Sequence, residues 1–160
     1  MTERFKTVAI VARRHGTSVI DSVVATENCL LGLGIDVVFG EKTLKLLSES
    51  SQASGTSRQM CAEADLGTVA DLVVVIGGDG SLLGFGRELA SSKVPVVGVN
   101  RGGLGFLAAI SPEQIDVKLN EILQGQYSVE EHFLLEAAVH RDGEIIASQT
   151  ALNDVVINPG

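Results

Sequence analysis

The chain contains few of the residues that build disulfide frameworks or metal centres. Among its 160 residues are two cysteines, Cys29 and Cys61, which form no CxxC pair, and three histidines without the spacing of metal ligands. A disulfide-stabilised fold and a zinc site are therefore not indicated. We interpret both thiols as packing residues of a protein in a reducing compartment, and we predict no metal bound directly by the chain.

Positive charge is also scarce. The 12 Lys and Arg residues are outnumbered by 20 Asp and Glu, the formal net charge is −8, and the largest basic cluster is the pair Arg13 and Arg14. DNA, RNA and anionic membranes bind basic surfaces, so the composition disfavours these partners and favours a small ligand. The apolar run within residues 1–15 is flanked by charges and is too short for a signal peptide or a membrane span, so we expect a cytoplasmic protein.

Predicted strands and helices alternate along most of the chain. A hydrophobic content of 45% in 160 residues is enough for one well-packed domain. The alternation predicts an α/β fold with a parallel, Rossmann-like sheet that helices cover on both faces. Strands are predicted at residues 5–12, 35–39, 72–76 and 94–99, and helices at residues 19–31, 41–47, 81–90 and 113–123, with residues 58–66 as a further candidate helix.

The pattern changes near Tyr127. Residues 129–140 and 144–157 are rich in β-branched side chains and are separated by Asp142 and Gly143, which predicts two antiparallel strands. We therefore assign residues 1–126 to an α/β domain and residues 127–160 to the first strands of a β-rich second domain. The second group is too small to bury a core of its own, which indicates an incomplete domain.

Residues 72–81, LVVVIGGDGS, combine a strand of β-branched residues with a glycine-rich turn that holds one acidic side chain. Gly77, Gly78 and Gly80 lack a Cβ atom, so the backbone there can lie against a ligand. Ser81 suits an N-cap position, and the apolar spacing after it predicts a helix whose N-terminal amides favour an anion such as phosphate. The turn therefore predicts a nucleotide site.

Asp79 is the unusual residue of this turn. A carboxylate repels a polyanion at contact distance, so Asp79 either binds a metal ion or faces a hydroxyl group. The alternative is that Asp-Gly is a common turn pair without chemistry. The segment is not a Walker loop because no Lys follows Gly80, and it fails the GxGxxG pattern because Leu83 occupies the third glycine position, which disfavours a Rossmann oxidoreductase.

Three loops follow predicted strands at residues 13–17, 77–80 and 100–105. The carboxyl ends of parallel strands lie at one edge of a sheet, and ligands of open α/β sheets bind there. We therefore expect the three loops to converge on one site.

The ordered set of three segments carries a family resemblance. They are GGDGS at residues 77–81, VVGVNRGGLGFL at residues 96–107 and ALNDVVINPG at residues 151–160. With them the sequence resembles bacterial NAD kinases over essentially its whole length. GGDG alone is shared by phosphofructokinases and by diacylglycerol and sphingosine kinases, so the other two segments make the resemblance specific.

The resemblance implies roles for individual residues of the first two segments. Asp79 is expected to assist the 2′-hydroxyl of the adenosine ribose of NAD, and Gly80 to approach the dinucleotide. Phe106 and Leu107 are expected to lie against the adenine, with an ordinary core position as the alternative. Further nucleotide contacts are expected at these positions of the two loops: Gly78, Ser81 and Asn100.

The third segment is expected to contact the ribose and amide parts of NAD through Asn153 and Asp154. Neighbouring side chains of a strand point to opposite faces, so we favour Asn153 for direct contact unless a bulge intervenes. A turn-forming Asn-Asp pair is the alternative, although residues 155–157 favour continued strand.

The resemblance implies an ATP-dependent NAD kinase that uses Mg²⁺ with ATP and acts as a homo-oligomer, a dimer or tetramer in which a neighbouring subunit completes each site. In this reading residues 1–126 bind nucleotide and residues 127–160 begin the NAD-binding domain. Two alternatives remain: a nucleotide-binding module without catalysis, and a lipid kinase of the diacylglycerol type. The lipid kinase gives no reason for the NRGGLGFL segment or the Asn-Asp pair.

We predict that the isolated 160-residue chain is inactive, because the family's TPTGSTAY-like segment, which supplies further nucleotide contacts, has no counterpart in it. Incubation of the purified chain with NAD and ATP should give no NADP above a no-enzyme blank. Turnover by this chain would contradict the prediction.

Overall fold

The computed structural model describes residues 5–13, 16–50, 57–103 and 107–158. The chain divides into two compact units, Met1–Ser128 and Val129–Gly160, which are described separately below. No helix among the described residues is both long and apolar enough to cross a membrane.

The first unit contains a five-stranded sheet in which every pairing is parallel. The strand order is β3-β2-β1-β4-β5, so β1 lies at the centre between β2 and β4. The predicted α/β fold with a parallel sheet is confirmed. The strands are β1 (Thr7–Ala12), β2 (Asp36–Gly40), β3 (Gln59–Cys61), β4 (Leu72–Gly77) and β5 (Val96–Asn100).

Five α-helices accompany this sheet in the described part of the chain. They are α1 (Thr17–Gly32), α2 (Glu41–Ser48), α3 (Leu66–Val69), α4 (Asp79–Leu89) and α5 (Ile115–Leu123). Short 3₁₀ turns at Glu63–Asp65 and Pro112–Gln114 lead into α3 and α5.

Both faces of the sheet are buried, as the uninterrupted apolar runs of β1 and β4 predict. Alternate residues of β1 belong to opposite clusters because side chains of a strand alternate between its faces. Val8 and Ile10 pack in the cluster that includes α1 and α5, whereas Ala9 and Val11 pack in the cluster that includes α4. All four of these side chains are fully buried. The helices are thereby fixed against the strands that carry the loops.

Side chains secure both ends of the central strand. At its start, the Asp71 carboxylate accepts hydrogen bonds from the backbone amides of Lys6 at 2.8 Å and Thr7 at 2.9 Å. The Thr7 amide, and then the Lys6 amide, lower the pKa of Asp71 by stabilising its charged form. At the strand's end, Thr43 Oγ1 accepts from the Ala12 amide at 2.8 Å and donates to the Ala12 carbonyl at 3.3 Å.

Residues 58–66 do not form the candidate helix, so that prediction is wrong. Residues 59–61 instead form the edge strand β3, which pairs in parallel with residues 38–40 of β2, and a 3₁₀ turn follows. Three residues carry little periodicity of their own, and the exposed backbone edge of β2 supplies the pairing that decides their conformation.

The second unit is a β-hairpin of β6 (Leu135–Arg141) and β7 (Glu144–Ala151). Asp142 and Gly143 connect the strands with φ values of 51° and 85°, the left-handed conformations of a tight type I′ hairpin turn. The predicted small antiparallel sheet is confirmed, but the predicted strands are too long. The pairing ends where Leu135 meets Ala151, and Asn153 and Asp154, residue types that are uncommon in strands, follow shortly after.

The most buried ion pair of the described residues joins α1 to the segment before β3. Arg58 Nε and Nη2 donate to the two carboxylate oxygens of Glu27 at 2.8 and 2.7 Å, and the two side chains are only 9% and 6% exposed. The Phe39 ring centre lies 5.8 Å from the guanidinium carbon. The hydrogen bonds to Glu27 raise the pKa of Arg58 above its already high value. Each charge is therefore paired where water has little access.

Loss of one member of this pair should be costly, because it leaves the other charge buried without a counter-ion. We expect Arg58→Met to reduce the free energy of unfolding by about 3–5 kcal/mol, measured by urea denaturation. The double variant with Glu27→Leu should recover most of that loss. As a control, Lys118→Met removes half of the exposed Lys118–Glu121 pair and should cost under about 1 kcal/mol. A double variant no more stable than Arg58→Met would contradict this account.

Candidate active site at the carboxyl edge of the sheet

Strands β1, β4 and β5 are neighbours, and their carboxyl ends place three loops at one edge of the sheet. Arg13 follows β1, Gly78 follows β4, and Arg101 follows β5. The described parts of the three loops thus lie where the sequence predicted them. Residues 14, 15, 104 and 105 of these loops lie outside the described residues.

The loops after β4 and β5 are joined through their backbones. The Arg101 amide donates to the Gly77 carbonyl at 2.9 Å, which continues the β4–β5 pairing by one bond. One residue further on, Gly78 and Gly102 face each other so closely that a Cβ atom on Gly102 would lie 2.9 Å from Gly78 Cα. Position 102 needs glycine because a Cβ atom there would meet backbone, whereas a Cβ atom on Gly78 would lie 3.4 Å from Gly102 Cα, an ordinary contact distance.

Asp79 links the same two loops through its side chain. Its Oδ1 atom accepts hydrogen bonds from the backbone amides of Leu107 and Ala108, each at 3.2 Å. Asp79 is half-buried, and the neighbouring Gly80 is exposed, with open space where a Cβ atom would stand. The loop therefore orients the carboxylate beside a stretch of uncovered backbone.

The prediction that Ser81 caps the following helix is wrong. Helix α4 begins at Asp79, and the N-cap is Gly78 in an extended conformation. Ser81 is buried in the first turn, where its side chain fills the space beside Gly77: a Cβ atom on Gly77 would lie 2.6 Å from Ser81 Oγ. Packing beside β4 thus places the hydroxyl away from a capping position.

Asn100 shapes its own loop. Its Oδ1 atom accepts a hydrogen bond from the Gly102 amide at 2.9 Å, which holds Gly102 in place opposite Gly78. The next residue, Arg101, donates from Nε to the hydroxyl of Ser22 on α1. Asn100 therefore sets the conformation of the loop that follows β5, and Arg101 connects this loop to α1.

Arg13 was not singled out by the sequence. Its guanidinium carbon lies 4.3 Å from the centre of the Phe85 ring, and its Nη2 atom pairs with Glu88, so the side chain lies along α4. The sequence did hold a signal for this contact, namely Gly84 in the middle of a predicted helix. A glycine there costs about 1 kcal/mol of helix stability relative to alanine, so its presence suggests that a neighbouring group needs the space. A Cβ atom on Gly84 would lie 2.7 Å from Arg13 Nη1.

Of the two residues expected against the adenine, Phe106 lies outside the described residues. Leu107 contacts Asp79 through its backbone, and it is 38% exposed.

Asn153 and Asp154 belong to the second unit and are exposed. They follow the end of β7 and do not lie on a strand, so the argument that they point to opposite faces of a strand is wrong.

The cysteines are poor nucleophiles. Burial raises the pKa of the Cys29 thiol to about 11, with further contributions from the nearby Asp116 carboxylate. Burial also raises the pKa of Cys61. Among the described residues, no group of three or more His, Cys, Asp or Glu side chains is arranged to hold a metal ion.

Comparison with known proteins identifies the family. The sequence model of the ATP-NAD kinase N-terminal domain matches residues 8–127. The chain belongs to the ATP-NAD kinase family. Among its relatives, the proteins named NAD kinase of Azotobacter vinelandii and Ectopseudomonas mendocina are each 44% identical to it over 158 residues, a match that covers 99% of this chain and 52% of each relative. The chain thus spans about half the length of these ATP-NAD kinase relatives.

Two solved structures share the fold. Yeast NADH kinase, determined in complex with NADH, matches with a TM-score of 0.76 and 20% identity, covering 95% of this chain and 48% of the yeast chain. An NAD kinase from Archaeoglobus fulgidus in complex with ATP matches with a TM-score of 0.52 and 21% identity, covering 87% of this chain and 45% of that one.

The contact between Gly78 and Gly102 can be tested directly. Gly102→Ala places a Cβ atom against backbone that no side-chain rotation can relieve, so we expect a loss of about 1–3 kcal/mol in the free energy of unfolding. Hydrogen exchange at the Leu107 amide should also accelerate as the loops separate. Gly103→Ala is the matched control, because a Cβ atom there meets nothing within 4 Å. Equal stability and exchange in both variants would contradict the contact.

Proposed function

We propose that the protein transfers the γ-phosphoryl group of ATP to the 2′-hydroxyl of the adenosine ribose of NAD, giving NADP and ADP. Family membership supports this, as do the names of the relatives and the NADH and ATP complexes of the two structural neighbours. The observation that carries the proposal is the placement of Asp79: a half-buried carboxylate at the sheet edge, oriented by two amides of the loop that follows β5.

In the proposed reaction, the 2′-oxygen forms a bond to the γ-phosphorus while the bond from that phosphorus to the β–γ bridging oxygen breaks. The Asp79 carboxylate accepts a hydrogen bond from the hydroxyl and takes its proton as the new bond forms. Because phosphoryl transfer passes through a loose transition state, the main contribution of Asp79 is to orient the hydroxyl. The two amide hydrogen bonds to Oδ1 hold the carboxylate in a fixed orientation for that purpose.

The glycines place backbone next to the nucleotide. Exposed Gly80 at the start of α4 lets a phosphate or ribose approach backbone amides, and the N-terminal end of the helix favours the negative charge. Gly78 and Asn100 support this surface from the joined loops, and Ser81 packs under it. Nothing in the first turn of α4 other than Asp79 adds negative charge.

The NAD contacts in the proposal come from two segments. Phe106 and Leu107 lie against the adenine, a flat apolar group that suits the exposed side chain of Leu107. Asn153 and Asp154 bind the ribose and amide parts of NAD; their exposure in the second unit leaves both side chains accessible.

The proposal extends to cofactor and assembly. Mg²⁺ is included only as the counter-ion of ATP, and no step above depends on it. We also include a homo-oligomer, a dimer or tetramer, in a cytoplasmic setting; the low cysteine content is consistent with a reducing compartment.

The test is NADP formation by the protein at its full natural length. Asp79→Asn keeps an oxygen that can accept from the Leu107 and Ala108 amides, but a neutral amide accepts a weaker hydrogen bond from the ribose hydroxyl than a carboxylate does and cannot take its proton, so we expect kcat to fall by about 10²–10⁴-fold. Asp36→Asn, which changes an exposed aspartate at the amino end of β2, is the matched control and should leave kcat unchanged.

Activity of Asp79→Asn within a few-fold of the parent would reject the role of Asp79. A parent protein that binds NAD and ATP without forming NADP would reject catalysis and favour a nucleotide-binding module. Phosphorylation of diacylglycerol and not of NAD would reject NAD as the phosphoryl acceptor and favour the lipid kinase.

A further inference from the structure

Arg13 holds together the central strand and the helix that begins with Asp79. It is the first residue after β1, and its side chain lies along α4, with the guanidinium over the Phe85 ring, paired with the Glu88 carboxylate and in the space that a Cβ atom on Gly84 would fill. The ion pair is partly exposed, at 30% for Arg13 and 44% for Glu88, so it contributes little by itself. The stacking on Phe85 is the main contact of the guanidinium, and the missing Cβ atom of Gly84 leaves the space that it occupies.

Gly84 leaves room on the helix for the guanidinium. A glycine inside a helix costs about 1 kcal/mol relative to alanine, and its φ angle is not one that requires glycine. What the missing Cβ atom provides is space for the guanidinium, because a Cβ atom would lie 2.7 Å from Nη1 and 3.4 Å from Cζ of Arg13. The helix thus has a residue of low helix propensity, Gly84, at the place where the Arg13 guanidinium lies against it.

The contact bears on the site because α4 is a rigid unit. Gly84 lies five residues after Asp79, which is about 7.5 Å along the helix axis. A rotation or shift of α4 at Arg13 therefore moves Asp79. The Asp79 bonds to Leu107 and Ala108 are already 3.2 Å long, near the upper limit for N–H···O bonds, so a small displacement breaks them.

We propose that Arg13 is a positioning residue that fixes helix α4 against the end of β1 and thereby sets the position of the Asp79 carboxylate. The effect on catalysis rests on the proposed function, in which Asp79 orients the hydroxyl. The effect on the Asp79 hydrogen bonds does not.

The first experiment measures geometry without substrates. In the full-length protein, Arg13→Ala should accelerate hydrogen exchange at the Leu107 and Ala108 amides, while the amides of β1 and β4 exchange as in the parent. Lys45→Ala, which removes an exposed positive charge from α2, is the matched control and should change neither set. Unchanged exchange at residues 107 and 108 in Arg13→Ala would overturn the proposal.

The second experiment measures steady-state kinetics with NAD and ATP. Arg13→Ala should lower kcat by about tenfold or more, with the KM of both substrates within about twofold of the parent, because misplacement of the reacting group affects the transition state. Glu88→Gln should reduce kcat by under about fivefold, since the partly exposed ion pair is the weaker contact. An increase in the KM for ATP in Arg13→Ala, together with a decrease in Glu88→Gln, would mean that Arg13 binds the donor phosphates and would overturn the proposal.

Gly84→Ala separates positioning from general stability. Alanine favours the helix, so the free energy of unfolding should stay the same or rise in Gly84→Ala. We expect kcat to fall, because the new Cβ atom displaces the guanidinium of Arg13 from its position beside the helix. A fall in kcat that is accompanied by an equivalent loss of folded protein would contradict the positioning role.

If the parent forms no NADP but hydrogen exchange at residues 107 and 108 still responds to Arg13→Ala, the proposed function fails and the positioning role stands.

Discussion

The close approach of two glycine-containing backbones is the constraint on which the site depends. Gly102 can lie against the backbone at Gly78 only because it carries no Cβ atom, and the Arg101–Gly77 hydrogen bond and the Asp79 carboxylate then connect the same two loops. Each contact is modest, but together they fix one loop on the other. The carboxylate is consequently held in one orientation without a ligand, and the proposed phosphoryl transfer depends on preorganisation of this kind.

The sheet supplies the frame for this arrangement. Strands β1 and β4 are buried on both faces, so their carboxyl ends cannot move independently of the helices packed on them. Thr43 fixes the end of β1, and Arg101 reaches from the loop after β5 to Ser22 on α1. Residues that lie outside the expected ligand contacts thus control where the contacting residues stand.

Asn100 and Arg13 illustrate how this changes the meaning of individual residues. The sequence suggested Asn100 as a nucleotide contact, but its side chain oxygen holds the Gly102 amide, so its first task is the shape of the loop. Arg13 drew attention only as part of a small basic pair, yet it contacts the helix that presents Asp79. In both cases the partner is set by folding, and the residue type alone did not indicate it.

The sequence by itself determined the α/β class, the parallel sheet, the glycine-rich turn with Asp79 and the edge at which the loops gather, because apolar periodicity and glycine spacing are local properties of the chain. Only the tertiary structure decided that residues 59–61 form an edge strand, that α4 starts at Asp79 and not at Ser81, and which groups hold the carboxylate and Arg13. These outcomes depend on contacts between residues far apart in sequence, such as Asp79 with Leu107, and on the space that packing leaves beside a glycine. No local pattern encodes either one.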